Sequence, residues 1–313
     1  MKHQIESQHS KTHVGGQIKS HIENLCVLIK RSPRILLTTH RQCDGDGLGA
    51  QLAVYHALKA GGWAVHAINV DRTPRKYHFL NPDHYISYFE EVPQSLQALQ
   101  DFDLTLVFDT NDEKVLPGLM PEIRRRCRHI AFIDHHPLIG SADDIGKYSI
   151  VDTLAASTGE IVWHILRALG LPIDLKIAEA LYTSITFDTQ LYRFVRNSPM
   201  SHIIAADVVQ YGIQAENIHR FLFGNFTRNK MAYLAKSLQN IEYFFGNTFA
   251  FLEIYDGDMT TFGIQSDESR DIIDMIMNIE SLKAAALLRI ENSQSIKVSL
   301  RSHGQVELLP LAL

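Results

Sequence analysis

Four apolar runs, RILLTTH (34–40), WAVHAINV (63–70), FDLTLVFDT (102–110) and HIAFIDHH (129–136), constrain this chain more than anything else in it. Their continuous apolar character is that of strands buried on both faces. Between them the spacing predicts a helix over Gly47–Lys59, ended by Gly61-Gly62, and helical segments around Pro93–Gln100 and Pro121–Cys127. YISYF (85–89) and YSIVD (148–152) read as shorter strands. Strands alternating with helices pair in parallel, so the expected architecture is α/β with a doubly wound parallel sheet.

The flanking segments have other characters. Residues 1–16 read as a flexible leader ending at Gly15-Gly16, and Ile18–Ile29 has helical spacing stopped by Ser32-Pro33. Beyond Asp152 the pattern turns helical. Ser157 and Glu160 form a capping box, S-x-x-E, opening a helix that runs to Gly170. DLKIAEALYTSITFDT (174–189) is a second helix, and residues 200–239 read as a helical connector. From Asn240 two hairpins, around Gly246-Asn247 and Asn292-Ser293, flank a helical stretch SRDIIDMIMNIE and indicate a smaller α+β domain. The expected organisation is thus a leader (1–16), a large domain (17–199), a connector (200–239) and a small domain (240–313).

A length of 313 residues suffices for two cores. The formal net charge of −5 argues against broad electrostatic binding of long nucleic acid, while leaving room for a local basic pocket. Cys26, Cys43 and Cys127 are scattered and lack C-x-x-C spacing, which fits a reducing compartment better than a disulfide framework or structural zinc. The polar N-terminus lacks the apolar core of a signal peptide, and no apolar run approaches the ~20 residues a membrane span needs. A soluble, cytoplasmic protein is expected.

Chemistry gathers where strands end. Ligands of open α/β sheets bind at the carboxyl ends of the strands. His40 ends the first strand, with Asp44 and Asp46 in the turn behind it; Asp109 ends another, Asp134-His135-His136 a third, and Asp188 lies near the end of an otherwise apolar helix. Alone, a D-x-D turn reads as a helix N-cap and a His-His pair as a surface feature or a satisfied core pair. Together, so many carboxylates would repel one another and raise their pKa values unless a cation neutralised them. Carboxylate and imidazole donors without thiolate favour Mn²⁺ or Mg²⁺, with Fe²⁺, Co²⁺ or Zn²⁺ also accommodated. The donors suffice for two divalent ions, which ~3.5–4 Å apart would suit phosphoester hydrolysis.

The set THRQCDGDGLGA (39–50), VFDT (107–110), IDHH (133–136) and SITFDT (184–189) resembles the DHH phosphoesterase superfamily, named for the Asp134-His135-His136 triplet. IKVSLRSHGQVEL (296–308) is similar to the family's small substrate-binding domain, DHHA1. The branch most resembled holds nanoRNases that also dephosphorylate 3′-phosphoadenosine 5′-phosphate. The resemblance implies a parallel-sheet DHH domain, a helical connector and a DHHA1-like domain, with the active site in the cleft between domains. It implies that His40, Asp44 and Asp109 bind one metal, most simply Mn²⁺, and that Asp46, Asp109, His135 and Asp188 bind another. Asp109 would bridge, Asp134 would orient an imidazole, His136 would face the scissile phosphate, and Arg301 would hold a substrate phosphate or base. Short RNA or DNA oligonucleotides are the implied substrates, with no long-duplex or membrane partner, and a homodimer is compatible with the reading.

The chain departs from the family pattern at three places. Cys43 replaces the usual proline before Asp-Gly-Asp, read as a buried inert thiol; Gln190 replaces the glycine after Asp-Thr; and the Gly-rich stretch ending in histidine is not found before Leu313, as a truncation or a different substrate grip would explain. Arg193, in LYRF, is a candidate phosphate ligand or surface ion pair, RRRCR (124–128) reads as a solvated face, and GDGLG lacks the pattern of a phosphate loop. Rival readings are a cyclic di-AMP phosphodiesterase, an inorganic pyrophosphatase and a catalytically inactive nucleotide sensor.

Overall fold

A computed structural model of the chain describes residues 16–89, 101–141, 145–264, 270–292, 295–304, 306 and 308. The helical segment expected around Pro93–Gln100, nearly all of the leader and the end of the chain lie outside the described residues. The chain divides into two compact units that meet between Gly224 and Asn225.

The apolar runs of the first unit form strands as their composition demands. β1 (Arg34–Thr39), β2 (Ala64–Asn69), β3 (Ile86–Tyr88), β4 (Phe102–Phe108), β5 (Cys127–Asp134) and β6 (Ile150–Val151) make one sheet in the order β3-β2-β1-β4-β5-β6, with every pairing parallel. The chain therefore works outward from β1 to β3 on one side and returns to β4 on the other. That reversal opens a crevice at the carboxyl ends of β1 and β4.

Alternate side chains leave opposite faces, and helices cover both. Ile35, Leu37, Leu104, Leu106 and Ile133 join a large core with residues of α1 (Gly16–Arg31), α2 (Gly45–Ala60), α4 (Thr158–Leu169) and α5 (Leu175–Asp188). Leu36, Ile68, Val107 and Phe132 face the other way, onto Leu119, Met120 and Ile123 of α3 (Leu119–Arg126). Each such buried side chain contributes roughly 1.5–3 kcal/mol.

Helix ends follow local chemistry, with two adjustments. α2 starts two residues before the expected Gly47, because the Asp44 carboxylate accepts the amides of Asp46 (3.1 Å) and Gly47 (3.4 Å) and so caps it. Ser157 caps α4 by accepting the Glu160 amide, but the Glu160 carboxylate reaches the amide of Ala156 and the hydroxyl of Ser201, so the capping box is only half closed.

The segment read as a connector divides between the units. α6 (Met200–Val209) and α7 (Ala215–Phe223) place Ile204, Val208, Ile218 and Leu222 in the first core, whereas α8 (Arg228–Leu238) places Tyr233 and Leu234 in the second. Their apolar faces, invisible to a search for turn signals, decide the allegiance. The second unit adds β7 (Glu242–Phe244), β8 (Phe249–Tyr255), α9 (Asp256–Phe262), α10 (Arg270–Ile276), β9 (Ala284–Asn292) and β10 (Ser295–Ser302). The strands form a mixed sheet, β10-β9-β8-β7, in which β8 and β9 run parallel and the two outer pairs antiparallel. Buried Arg289 is held by Asp256 through two hydrogen bonds of 2.6 and 3.1 Å. No described helix is long and apolar enough to cross a membrane.

Among the described helices α2 packs most extensively on α5, and that packing depends on Gly49. A β-carbon there would stand 2.5 Å from the Ala180 carbonyl oxygen and 2.8 Å from the Ser184 β-carbon. Gly49→Ala should therefore destabilise the protein by about 1–3 kcal/mol through overpacking. Gly257→Ala, where an added methyl meets nothing within 4 Å, should be neutral or slightly stabilising. Thermal denaturation checks both, and an unshifted melting temperature for Gly49→Ala would mean that the helices can part without cost.

Candidate metal centre

Three parallel strands and two helices deliver the donors to one edge of the sheet. His40 follows β1, Asp44 and Asp46 open α2, Asp109 follows β4, Asp134, His135 and His136 close β5, and Asp188 is the last residue of α5. Donor atoms converge in three groups, within 4.8 Å in each: His40, Asp44 and Asp109; Asp46, His135 and Asp188; Asp109, His135 and His136. Asp109 links two of these groups. Its φ of +60° lies in the left-handed region, which an aspartate tolerates better than most residues, and its amide donates to the Ile133 carbonyl at 2.9 Å. Gly47 leaves it room, since a β-carbon there would lie 3.3 Å from Asp109 Oδ2.

The acids are fixed as well as crowded. Asp46, fully buried, accepts the amides of Thr158 (2.8 Å) and Gly159 (3.2 Å) at the first turn of α4 and a hydroxyl hydrogen bond from Ser184. The Thr158 hydroxyl donates to Asp109 Oδ1 at 3.1 Å. Burial nonetheless pushes the Asp46 carboxyl up to about 6, and burial together with neighbouring carboxylates drives Asp109 and Asp188 well above the usual range.

His135 provides the test of whether a cation fits. Its Nε2 is buried and has no hydrogen-bond partner among the described residues. It faces carboxylate oxygens of Asp188 at 3.4 Å, Asp46 at 3.5 Å and Asp109 at 3.7 Å. Burial, with His136 and Arg196 nearby, lowers its pKa to about 4, so the ring is neutral at pH 7. A carbonyl contact from Ala155 acts in the opposite direction, as an acceptor from the ring does. A neutral nitrogen and three carboxylates around one space are a poor arrangement for one another and a good one for a divalent cation. The donors present fit such an ion.

The other histidines are oriented differently. His40 Nδ1 lies 2.8 Å from the Arg41 carbonyl, which assigns the proton to that nitrogen and turns Nε2 toward Asp109 Oδ2 at 3.3 Å. His136 is half exposed and is bound through Nδ1 to Asp134 at 2.8 Å; that hydrogen bond raises its pKa. Burial opposes ionisation of Asp134, yet donors from His136 and Asn111 hold its carboxyl below the usual range. The imidazole that Asp134 orients is thus that of His136.

Arg193 is exposed and lies over the Phe194 ring at 5.5 Å. Arg196, three residues on, is the one that reaches the centre: it donates to the Thr153 carbonyl and stands 3.3 Å from His135 Nδ1. Arg301 is exposed on β10 of the second unit, 3.6 Å from Asp274. Thr158, Ser184, Asn111 and Arg196 were not singled out for this chemistry. Thr158 sat inside the capping motif and Ser184 inside SITFDT, but nothing local marks them as partners of Asp46 and Asp109.

The departures acquire physical content. Cys43 is buried in the first core. Gln190 has φ +47° and opens a run of left-handed residues with Leu191 and Tyr192, a conformation a glycine enters without strain.

Residues 34–185 match the family model described as DHH family, N-terminal domain. Two relatives carry the name bifunctional oligoribonuclease and PAP phosphatase NrnA. The one from Thermus thermophilus is 27% identical over 280 residues, covering 89% of this chain and 79% of its own. The one from Bacillus subtilis is 23% identical over 278 residues, covering 87% and 82%. The crystal structure of an exopolyphosphatase-related protein from Bacteroides fragilis superposes with a TM-score of 0.85 at 22% identity, over 94% of this chain and 86% of that one, and so shares the fold. With that domain match, these relatives and the convergent Asp and His donors, residues 34–185 are a DHH family N-terminal domain.

Proposed function

We propose that the protein is a two-metal phosphoesterase that hydrolyses very short oligonucleotides to mononucleotides, with 3′-phosphoadenosine 5′-phosphate as a further substrate. The carrying observation is the buried His135 Nε2, unpartnered among the described residues and ringed by three carboxylates at 3.4–3.7 Å. The names of the two relatives support the substrate class. The net charge of −5 supports short substrates over long strands, which gain affinity from many phosphate contacts. Scattered cysteines support a cytoplasmic location.

His40, Asp44 and Asp109 would hold one ion and Asp46, Asp109, His135 and Asp188 the other. Mn²⁺ suits these donors, and when bound the pair supplies Lewis-acid charge and a nucleophile at neutral pH. The amides of Thr158 and Gly159 hold Asp46 in place, and the Thr158 hydroxyl holds Asp109. Asp134 fixes the proton on His136 Nδ1, so His136 Nε2 is the atom left to meet the scissile phosphate or protonate the leaving oxygen. Arg301 of the second unit would take a terminal phosphate or base.

A product ladder from end-labelled RNA and DNA of two to about twenty nucleotides, with 3′-phosphoadenosine 5′-phosphate alongside, tests the reading. Mn²⁺-dependent release of mononucleotides from the shortest chains is expected. Asp109→Asn should reduce turnover to background while the fold persists; full activity in that variant would remove Asp109 from the centre. His135→Ala should lower Mn²⁺ content, whereas His136→Ala should cost roughly 10²–10⁴ in kcat with metal content retained. Equal metal loss in both variants would contradict the division. Arg301→Ala should lower the ratio of kcat/KM on dinucleotides to that on a small generic phosphodiester, by removing remote binding energy; an unchanged ratio would take Arg301 out of the site.

The crowded acids also predict how metal-free stability depends on pH. Folded Asp46, Asp109, Asp188 and His136 bind protons more tightly than in the unfolded chain, so their stabilisation is lost as pH rises through their folded values. His135 acts oppositely, but only below about pH 6.5, the pKa of an unperturbed histidine. Above about pH 6.5 the melting temperature of chelated protein should therefore fall as pH rises, and Mn²⁺ should raise it most where it has fallen furthest. A flat profile in chelator would show that the carboxylates do not strain the fold.

A further inference from the structure

Lys76 is a cation beside Phe187, the residue that precedes Asp188, and has no acidic partner among the described residues. It lies on a short 3₁₀ helix, Arg75–Leu80, that follows β2 on the carboxyl side of the sheet. Strand order sets β2 beside β1, and the Gln42 amide donates to Asp71 at 2.5 Å, tying the loop after β2 to the turn after β1. The Lys76 ammonium lies 4.9 Å from the centre of the Tyr77 ring and 5.6 Å from that of Phe187. Phe187 immediately precedes Asp188, and a β-carbon on Gly45 would stand 2.7 Å from its ring, so Phe187 touches the turn between Asp44 and Asp46. The ammonium is thus one aromatic ring away from the carboxylate cluster.

Its surroundings do not satisfy it. Among the described residues no carboxylate lies within ion-pair distance of Lys76, and two aromatic rings face its ammonium. Ring faces hold the ammonium without consuming its three N–H donors. A fixed, half-buried cation that stays out of the acid cluster is suited to an anion arriving with the substrate.

We propose that Lys76 binds a phosphate group one nucleotide removed from the scissile phosphate, and so favours substrates with two phosphates over those with one. The proposal rests on the reading of the protein as a short-oligonucleotide phosphoesterase. Lys76 is a specificity-determining residue in this scheme. The bland role, an alkyl stem covering Tyr77 and Phe187, is retained by methionine, which keeps the stem and removes the charge.

The test compares a 5′-phosphorylated dinucleotide with its dephosphorylated counterpart. For turnover with Mn²⁺, Lys76→Met should lower the kcat/KM ratio of phosphorylated over unphosphorylated substrate about tenfold, and Lys76→Arg should largely restore it. Titration calorimetry of the same two ligands, with Ca²⁺ replacing Mn²⁺ to separate binding from turnover, should show the same loss of preference. A ratio unchanged by Lys76→Met, or parent protein that binds both ligands equally or neither, overturns the proposal. If the parent hydrolyses both substrates and Lys76→Met changes nothing, only the Lys76 assignment fails. If the parent prefers the phosphorylated ligand through Lys76 but turns over neither, the Lys76 assignment stands and the hydrolytic reading fails.

Discussion

The mutual repulsion of Asp46, Asp109 and Asp188 around neutral His135, with Asp44 adding to it, is the constraint on which the rest of this structure turns. Carboxylates brought so close in a buried site either bind protons or share a cation. The protein offers partial relief only. The first turn of α4 aims two amides at Asp46, and Thr158 donates to Asp109. None of these reaches His135 Nε2, which remains buried and unpartnered among the described residues. The surrounding chain keeps the acids together where separation would be easier: Asp109 is held left-handed, and Gly47 leaves it room.

That tension is sustained by packing elsewhere. β1 and β4 are neighbours at the point where the strand order reverses, so His40 and Asp109 meet without any long excursion of loop. α2 and α5 approach closely at Gly49 and Ser184, and Asp46 and Asp188 both face His135 Nε2. A well-packed core transmits such positions because its side chains have few alternative arrangements. Two cations lie near these residues: Arg196 stands against the far nitrogen of His135, and Lys76 lies over the Phe187 ring.

Much of this was legible from residue order. Parallel strands buried on both faces must be continuously apolar, so β1, β2, β4 and β5 stand out in the sequence, and the residues that end three of them are the donors. Local capping chemistry was half legible. Asp44 was recognisable as a possible cap, yet its capping moves the start of α2 back to Gly45. Glu160 found Ala156 and Ser201 because α6 packs against α4, a contact no four-residue motif encodes. The division of 200–239 between two cores was hidden for the same reason, since amphipathic helices show that they pack but not against what.

The sequence by itself determined which residues could act, because identity, strand ends and motif spacing are local properties of the chain. It specified His40, Asp44, Asp46, Asp109, His135, His136 and Asp188, and it specified a parallel sheet that brings strand ends to one edge. Tertiary structure alone decided which nitrogen of each histidine faces the acids, that Asp134 orients His136, and that Arg196 stands at the centre. It also decided the charge states, because burial and neighbouring charge depend on residues distant in sequence: Asp46 and Ser184 are separated by 138 positions and share a hydrogen bond. Donor identity is written along the chain, whereas desolvation and the distance between donors exist only once the chain is packed.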